Sequence, residues 1–146
     1  MTRLGRDEIL ALIPHGGAMC LLDEVLEWDA ASVRCLSHRY RASDNPLRRA
    51  DGTLGAACGI EIAAQAMAVH GRLMASAEGL PVPGYLVSLR DVRLAKSRLD
   101  EAAGSLTISA TRLMGDARGA TYVFSVTNQE IEMLSGRATV LFGTAA

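Results

Sequence analysis

The sequence predicts an α+β domain, and three observations carry that prediction. One stretch, "GIEIAAQAMAVHG" at 59–71, is helical in its spacing and apolar around most of its circumference. About six other stretches alternate apolar and polar residues, the period of a half-buried strand. The chain of 146 residues is long enough for a proper core and fits one domain, 1–146, with no repeats, low-complexity tracts or linkers.

Taken in order, "RDEILALI" (6–13) reads as a short amphipathic helix stopped by Pro14, and "PHGGAM" as a glycine loop. "CLLDEVLEWD" and "SVRCLSHRY" read as two strands joined through "DAAS", a hairpin-length connection. "RASDNPLRRADGTLGAACG" is irregular and rich in turn formers, and so long a connection in a compact domain is often functional. The helix follows and ends near "SAEGLPVPG", where Gly79, Pro81 and Pro83 stop it. After it come "YLVSLRDVRLAK" and "GSLTISATRLM", the latter alternating Leu106, Ile108 and Ala110 against Ser105, Thr107 and Ser109. "GDARG" turns the chain into "ATYVFSVTN", with Tyr122, Phe124 and Val126 on one face, and "EIEMLSGRATVLFG" closes the domain. Mostly short turns join these strands, which is the pattern of an antiparallel sheet.

Composition excludes several functions. The formal net charge is −1, Lys and Arg are scattered, and aromatics are only 4%, so neither a polyanion surface nor a base-stacking platform is expected. No apolar run approaches a membrane span, and "MTRLGRDEILALIP" lacks a secretory core, so a cytoplasmic protein without membrane partners is the expectation. Cys20, Cys35 and Cys58 are odd in number and widely spaced, which fits small buried hydrophobes better than a disulfide framework or a metal site.

On a helical wheel Glu61, Gln65, Ala68 and Arg72 form one narrow stripe, and Ile60, Ile62, Ala63, Ala66, Met67, Val69, Leu73 and Met74 cover the rest. The alanines let a sheet approach closely, and a sheet curled around the helix is the economical solution. His70 falls on the apolar side, almost opposite Glu61, and reads as a core or interface histidine. The stripe has two readings: the solvent edge of a half-buried helix, or a working face. In the second, backbone N–H groups at Cys58, Gly59 and Ile60 would hold a ligand carbonyl while Glu61 handles a proton.

These residues also carry a resemblance. The order helix, "PHGGAMCLLDEV", two strands, irregular loop, "IEIAAQAMAVHG" and four strands is similar to the β-hydroxyacyl-acyl-carrier-protein dehydratases of the hotdog fold. It looks closest to the dehydratase-like proteins of aryl-polyene gene sets. Pro14-His15 with Leu21, Leu22, Asp23 and Val25 matches the N-terminal signature, and Glu61, Ala63, Gln65 and Ala66 match the central helix. "GYLVSLRDVRL" and "GRATVLFG" resemble the third and last strands, so the likeness spans nearly the whole chain.

The resemblance implies a curved antiparallel sheet around the central helix, protomers paired edge to edge, and acyl channels along their interface. It implies action on acyl-carrier-protein or coenzyme A thioesters, in a homodimer or a heterodimer, with no metal or redox cofactor. Glu61 takes the place of the helix acid, with Cys58, Gly59, Ile60 and Gln65 beside the substrate. In the family a catalytic histidine sits in a Gly-His-Phe-Pro-Gly loop ahead of the helix acid. Here Leu47 stands fourteen residues before Glu61, and a two-residue insertion would overlay "NPL" and put Asn45 in the histidine's place. Asparagine cannot accept and return a proton near neutral pH. Three readings follow: a dehydratase whose imidazole is His15 or His38; an acyl-thioester hydrolase using Asn45 and Glu61; and a partner subunit that completes another hotdog protomer.

Overall fold

The computed structural model describes residues 3–13, 16–78, 84–116 and 118–142. The expected stops at Pro14, Gly79, Pro81 and Pro83, and the candidate His15, lie outside them. Helix α1 (Arg6–Leu12) leads through a 3-10 turn at Gly17–Met19 to strands β1 (Glu24–Trp28) and β2 (Ser32–Ser37). Helix α2 (Cys58–Glu78) follows the long irregular connection. Strands β3 (Gly84–Leu94), β4 (Leu106–Gly115), β5 (Gly119–Asn128) and β6 (Ile131–Phe142) complete a six-stranded sheet in the order β1-β2-β4-β5-β6-β3, antiparallel throughout.

The first two strands are shorter than the sequence predicts, for identifiable reasons. The carbonyls of Cys20 and Leu22 accept from the Arg6 guanidinium, and the Leu21 N–H donates to the Gln65 side chain. Those backbone groups are therefore spent on α1 and α2 before the ladder begins at Glu24. At the other end, one Asp23 carboxylate oxygen accepts the N–H groups of His38 and Arg39 and turns the chain into the 3-10 turn Arg39–Arg41. The Asp residue thus ends β2 as a cap would.

One face of the sheet packs on α2. Leu106, Ile108 and Ala110 of β4, Tyr122, Phe124 and Val126 of β5, and Leu134 and Ala138 of β6 are buried there with Ile62, Ala63, Ala66, Met67 and Val69. The expected alternation holds on both strands, since Thr107, Ser109, Thr121, Val123 and Ser125 point the other way and are not buried. Two glycines show how close the helix lies. A Cβ on Gly59 would stand 2.5 Å from a Leu134 methyl, and one on Gly71 would stand 3.4 Å from the Phe142 ring. These two approaches fall on β6, while the body of α2 packs chiefly across β4, β2 and β5.

Strand β3 is one edge of the sheet, and among the described residues it pairs only with β6. Its register slips at Leu86/Ser88 and at Arg90/Arg93, and Asp91 in the second bulge has φ of 53°, a strained conformation for a side-chain-bearing residue. Leu86, Leu89 and Leu94 stand opposite the inward-facing Val140, Ala138 and Leu134, so they face the helix side as well. They remain 40%, 40% and 48% exposed because β3 has no neighbour beyond it. Sequence alternation alone does not show this, since the bulges reset the period twice within the strand.

Candidate active site at the start of helix α2

The irregular connection before α2 is held by its own polar groups. Asn45 is 4% exposed, and both ends of its amide are engaged: Nδ2 donates to the Tyr40 carbonyl (3.0 Å) and Oδ1 accepts the Leu47 N–H (2.9 Å). The second bond is the Asx turn that an asparagine before a proline favours. Further along, the Leu54 N–H donates to Asp100 and the Ala56 N–H to the Ser97 carbonyl, pinning the approach to the helix against 97–100. Hydrogen bonds from Arg98 and from the Leu54 amide hold the Asp100 carboxyl well below the usual carboxylate range. Cys58 Sγ lies 3.9 Å from the Leu47 carbonyl, so the 45–47 turn touches the first residue of α2. Asn45 and Glu61 thus belong to the same end of the helix.

The helix begins through a tight turn. Cys58, Gly59 and Ile60 donate their N–H groups to the carbonyls of Gly55, Ala56 and Ala57 at 3.0, 2.9 and 3.0 Å. The sequence leaves these amides as free donors for a ligand carbonyl; in the folded chain a ligand would share them through bifurcated bonds. Gly59 fits here for a different reason: a Cβ would meet the Leu134 methyls unless that side chain shifted.

The stripe that the helical wheel isolates is not a solvent edge. Gln65 is fully buried, accepting the Leu21 N–H at Oε1 (2.9 Å) and donating from Nε2 to the Met19 carbonyl (2.9 Å). Arg6 binds the same loop from the other side, through the carbonyls of Gly17, Cys20 and Leu22. Segment 16–22 is therefore fastened across the stripe, one turn beyond Glu61. Glu61 itself is half-buried in the first turn of α2, and farther along the stripe the buried Nε of Arg72 has no hydrogen-bond partner among the described residues.

The histidines separate by environment. His70 is fully buried and bonded at both ring nitrogens, to Tyr122 Oη (2.7 Å) and to the Asp29 carbonyl (2.9 Å). A carbonyl only accepts, so Nε2 carries the proton and Nδ1 accepts from the tyrosine hydroxyl. Burial lowers the His70 pKa, so it stays neutral in the core, as its place opposite Glu61 suggests. His38 is exposed at the end of β2. Cys20 and Cys35 are buried, and burial pushes the Cys35 thiol up to about 12. Among the described residues no cluster of His, Cys, Asp or Glu could hold a metal ion, and no helix is long and apolar enough to cross a membrane.

What the sequence reading missed is the inner row of β3. Leu94 lies beside Leu134, which touches Gly59, so the exposed apolar row begins next to the first turn of α2. The signal available was a strand apolar on both faces, "YLVSLRDVRL", in a sheet whose other strands alternate.

Comparison with known proteins gives the family and the fold. A family model described as "ApeP-like: ApeP dehydratase" matches residues 7–144. The dehydratase heterocomplex ApeI:P from Xenorhabdus doucetiae superposes with a TM-score of 0.83 at 21% identity, covering 94% of this chain and 91% of that one. A thioesterase from Haemophilus influenzae superposes with a TM-score of 0.65 at 12% identity, covering 95% and 90%. A thioesterase from Pseudomonas aeruginosa gives 0.61 at 11%, covering 94% and 92%. No curated protein sequence matches. The six-stranded antiparallel sheet around α2 is the hotdog fold.

Proposed function

The chain belongs to the ApeP-like dehydratase family, and from that premise we propose that it works as one subunit of a paired hotdog dehydratase acting on 3-hydroxyacyl thioesters. The thioester is carried by an acyl carrier protein or coenzyme A, in fatty-acid or aryl-polyene-like synthesis. The observation that carries the reading is the setting of Glu61. It is half-buried in the first helical turn, and that turn touches, through Gly59 and Leu134, the start of an apolar row on β3 that an acyl chain and a partner subunit would cover.

The chemistry needs two groups. A base takes a proton from C2, the released electron pair forms the C2=C3 bond, and the C3 hydroxyl leaves as water with a proton from an acid. Glu61 is one of the pair. His70 is committed to Tyr122 and Asp29, and His38 is exposed on β2's end. We assign the imidazole to His15, the sequence neighbour of a segment that Gln65 and Arg6 fasten over the Glu61 stripe. The amides at Cys58, Gly59 and Ile60 polarise the thioester carbonyl by sharing their turn bonds. Asn45 shapes the loop ahead of Cys58, since its amide already serves Tyr40 and Leu47. The open β3 edge supports a paired state, and the ApeI:P dehydratase, a heterocomplex, is a precedent for a second hotdog subunit.

The test is a 3-hydroxyacyl thioester assayed for enoyl absorbance beside a thiol trap, with the chain alone and with a second hotdog dehydratase subunit. Enoyl product with the thioester intact is expected. Free thiol released from saturated acyl thioesters as well would reject dehydration in favour of hydrolysis by Asn45 and Glu61. Enoyl formation that survives His15→Ala would remove His15 from the pair and leave the imidazole to the partner.

A further inference from the structure

The far side of the same edge carries a second pattern. Arg90 stands directly opposite Arg137, and Arg93 opposite Ser135. Arg137 lies between Gly136, which faces the Phe124 ring, and buried Ala138, so Arg137 and Arg90 project from the side away from the helix. All three arginines are exposed, and none makes an ion pair among the described residues. No carboxylate stands directly opposite them: Val123 is paired with Arg137, Ser125 with Ser135, and Thr139 with Ser88, while Glu132 lies further along β6, opposite Thr127. The one carboxylate on β3 is Asp91, in the strained bulge. Like charges directly opposite each other on a sheet are unfavourable. The fold nonetheless keeps this pair at its open margin.

We infer that Arg90, Arg93 and Arg137 select the subunit that joins β3, favouring a hotdog partner whose edge strand carries carboxylates on its outer face over a second copy of this chain. This rests on the paired-subunit reading above. In an antiparallel self-pairing, residues equidistant from the two-fold axis face each other across about 5 Å. The outer residues in the middle of β3 are Ser88, Arg90 and Arg93. An axis between Arg90 and Arg93 brings an arginine of one copy opposite an arginine of the other, with Arg137 one strand behind on each side. The inner row of Leu86, Leu89 and Leu94 offers the same apolar area to either partner, so it supplies association without choosing. The charges choose. An acidic edge turns each cross-strand repulsion into an attraction.

The chain itself supplies the probe. The variant R90E/R93E has an acid-rich edge on the same fold, because both side chains are exposed. Native mass spectrometry of an equal mixture with wild type, at about 50 mM and about 500 mM ammonium acetate, reads the dimer populations. The ratio of mixed dimer to the two homodimers together should exceed its statistical value of one by about tenfold at the lower salt, and the excess should shrink at the higher. Statistical mixing at low salt, or a wild-type homodimer whose strength ignores salt, would overturn the inference. Leu89→Asp places a charge in the apolar inner row and should abolish wild-type and mixed dimers alike. If dimers survive Leu89→Asp, association does not use this edge and the inference falls, while pairing itself stands; absence of any dimer in wild type and mixture alike would instead remove the paired-subunit reading.

Discussion

Replacing Gln65 should unfasten the loop over the Glu61 stripe, and the cost follows from its contacts. Gln65→Met preserves most of the buried volume but removes both hydrogen bonds, to Leu21 N–H and the Met19 carbonyl. Two neutral bonds contribute about 1–3 kcal/mol net. The larger effect is asymmetric. Leu21 is 1% exposed, so its N–H cannot be rehydrated in place and carries a desolvation penalty of about 1–3 kcal/mol, whereas Met19 is half-exposed and its carbonyl can meet water. A total of about 2–4 kcal/mol is expected, which lowers Tm by roughly 6–15 °C for a domain of this size. Thermal and urea unfolding at fixed protein concentration read it, since pairing makes Tm concentration-dependent. Gln65→Glu sharpens the test, because a carboxylate still accepts from Leu21 but confronts the Met19 carbonyl with a second acceptor. That variant should be destabilised at neutral pH and recover as acid protonates the new carboxyl. Gln65→Met within 0.5 kcal/mol of wild type, roughly the scatter of surface substitutions, would refute the view that this amide holds segment 16–22.

Three further outcomes follow from the packing. Gly59→Ala should destabilise the fold by about 1–3 kcal/mol, because its methyl meets buried Leu134 and forces that side chain or the helix start to shift; an unchanged urea midpoint would contradict this. His70 has a pKa lowered by burial, so its contribution to stability is present above about pH 6.5, the unfolded value, and is lost as pH falls through the folded value. His70→Phe should flatten that part of the stability–pH profile, which an unchanged slope would disprove. Tyr122→Phe removes the hydroxyl that satisfies His70 Nδ1 and should cost about 1–3 kcal/mol, measured by the same unfolding curves.

Much of the fold is legible in the sequence because two local periods decide it. The 3.6 period of 59–71 and the period of two in "SLTISATRLM" and "ATYVFSVTN" each match one buried face. Glu61 stands out on the wheel for the same reason. The clips that shape the site are not legible. Arg6 to Cys20, Gln65 to Leu21, and Asp23 to His38 join residues 14 to 44 positions apart through single polar side chains. Such bonds leave no periodic trace. The two candidate strands 20–29 and 32–40 are shortened by these clips, and Gln65, read from its spacing as lying along a face with Glu61, is buried by the loop it holds. The arginine margin of β3 also escapes sequence reading, since which side Arg90 and Arg93 share depends on the bulge between them.

The central claim is that Glu61 moves a proton during dehydration, and Glu61→Gln tests it most directly. The substitution keeps the shape of the side chain and removes its acid–base capacity. In the paired enzyme, enoyl formation from a 3-hydroxyacyl thioester should fall by about 10²–10⁴-fold, while the unfolding midpoint and the dimer population stay at their wild-type values. Enoyl formation at the wild-type rate by Glu61→Gln would contradict the account and leave Glu61 a structural residue of the first helical turn.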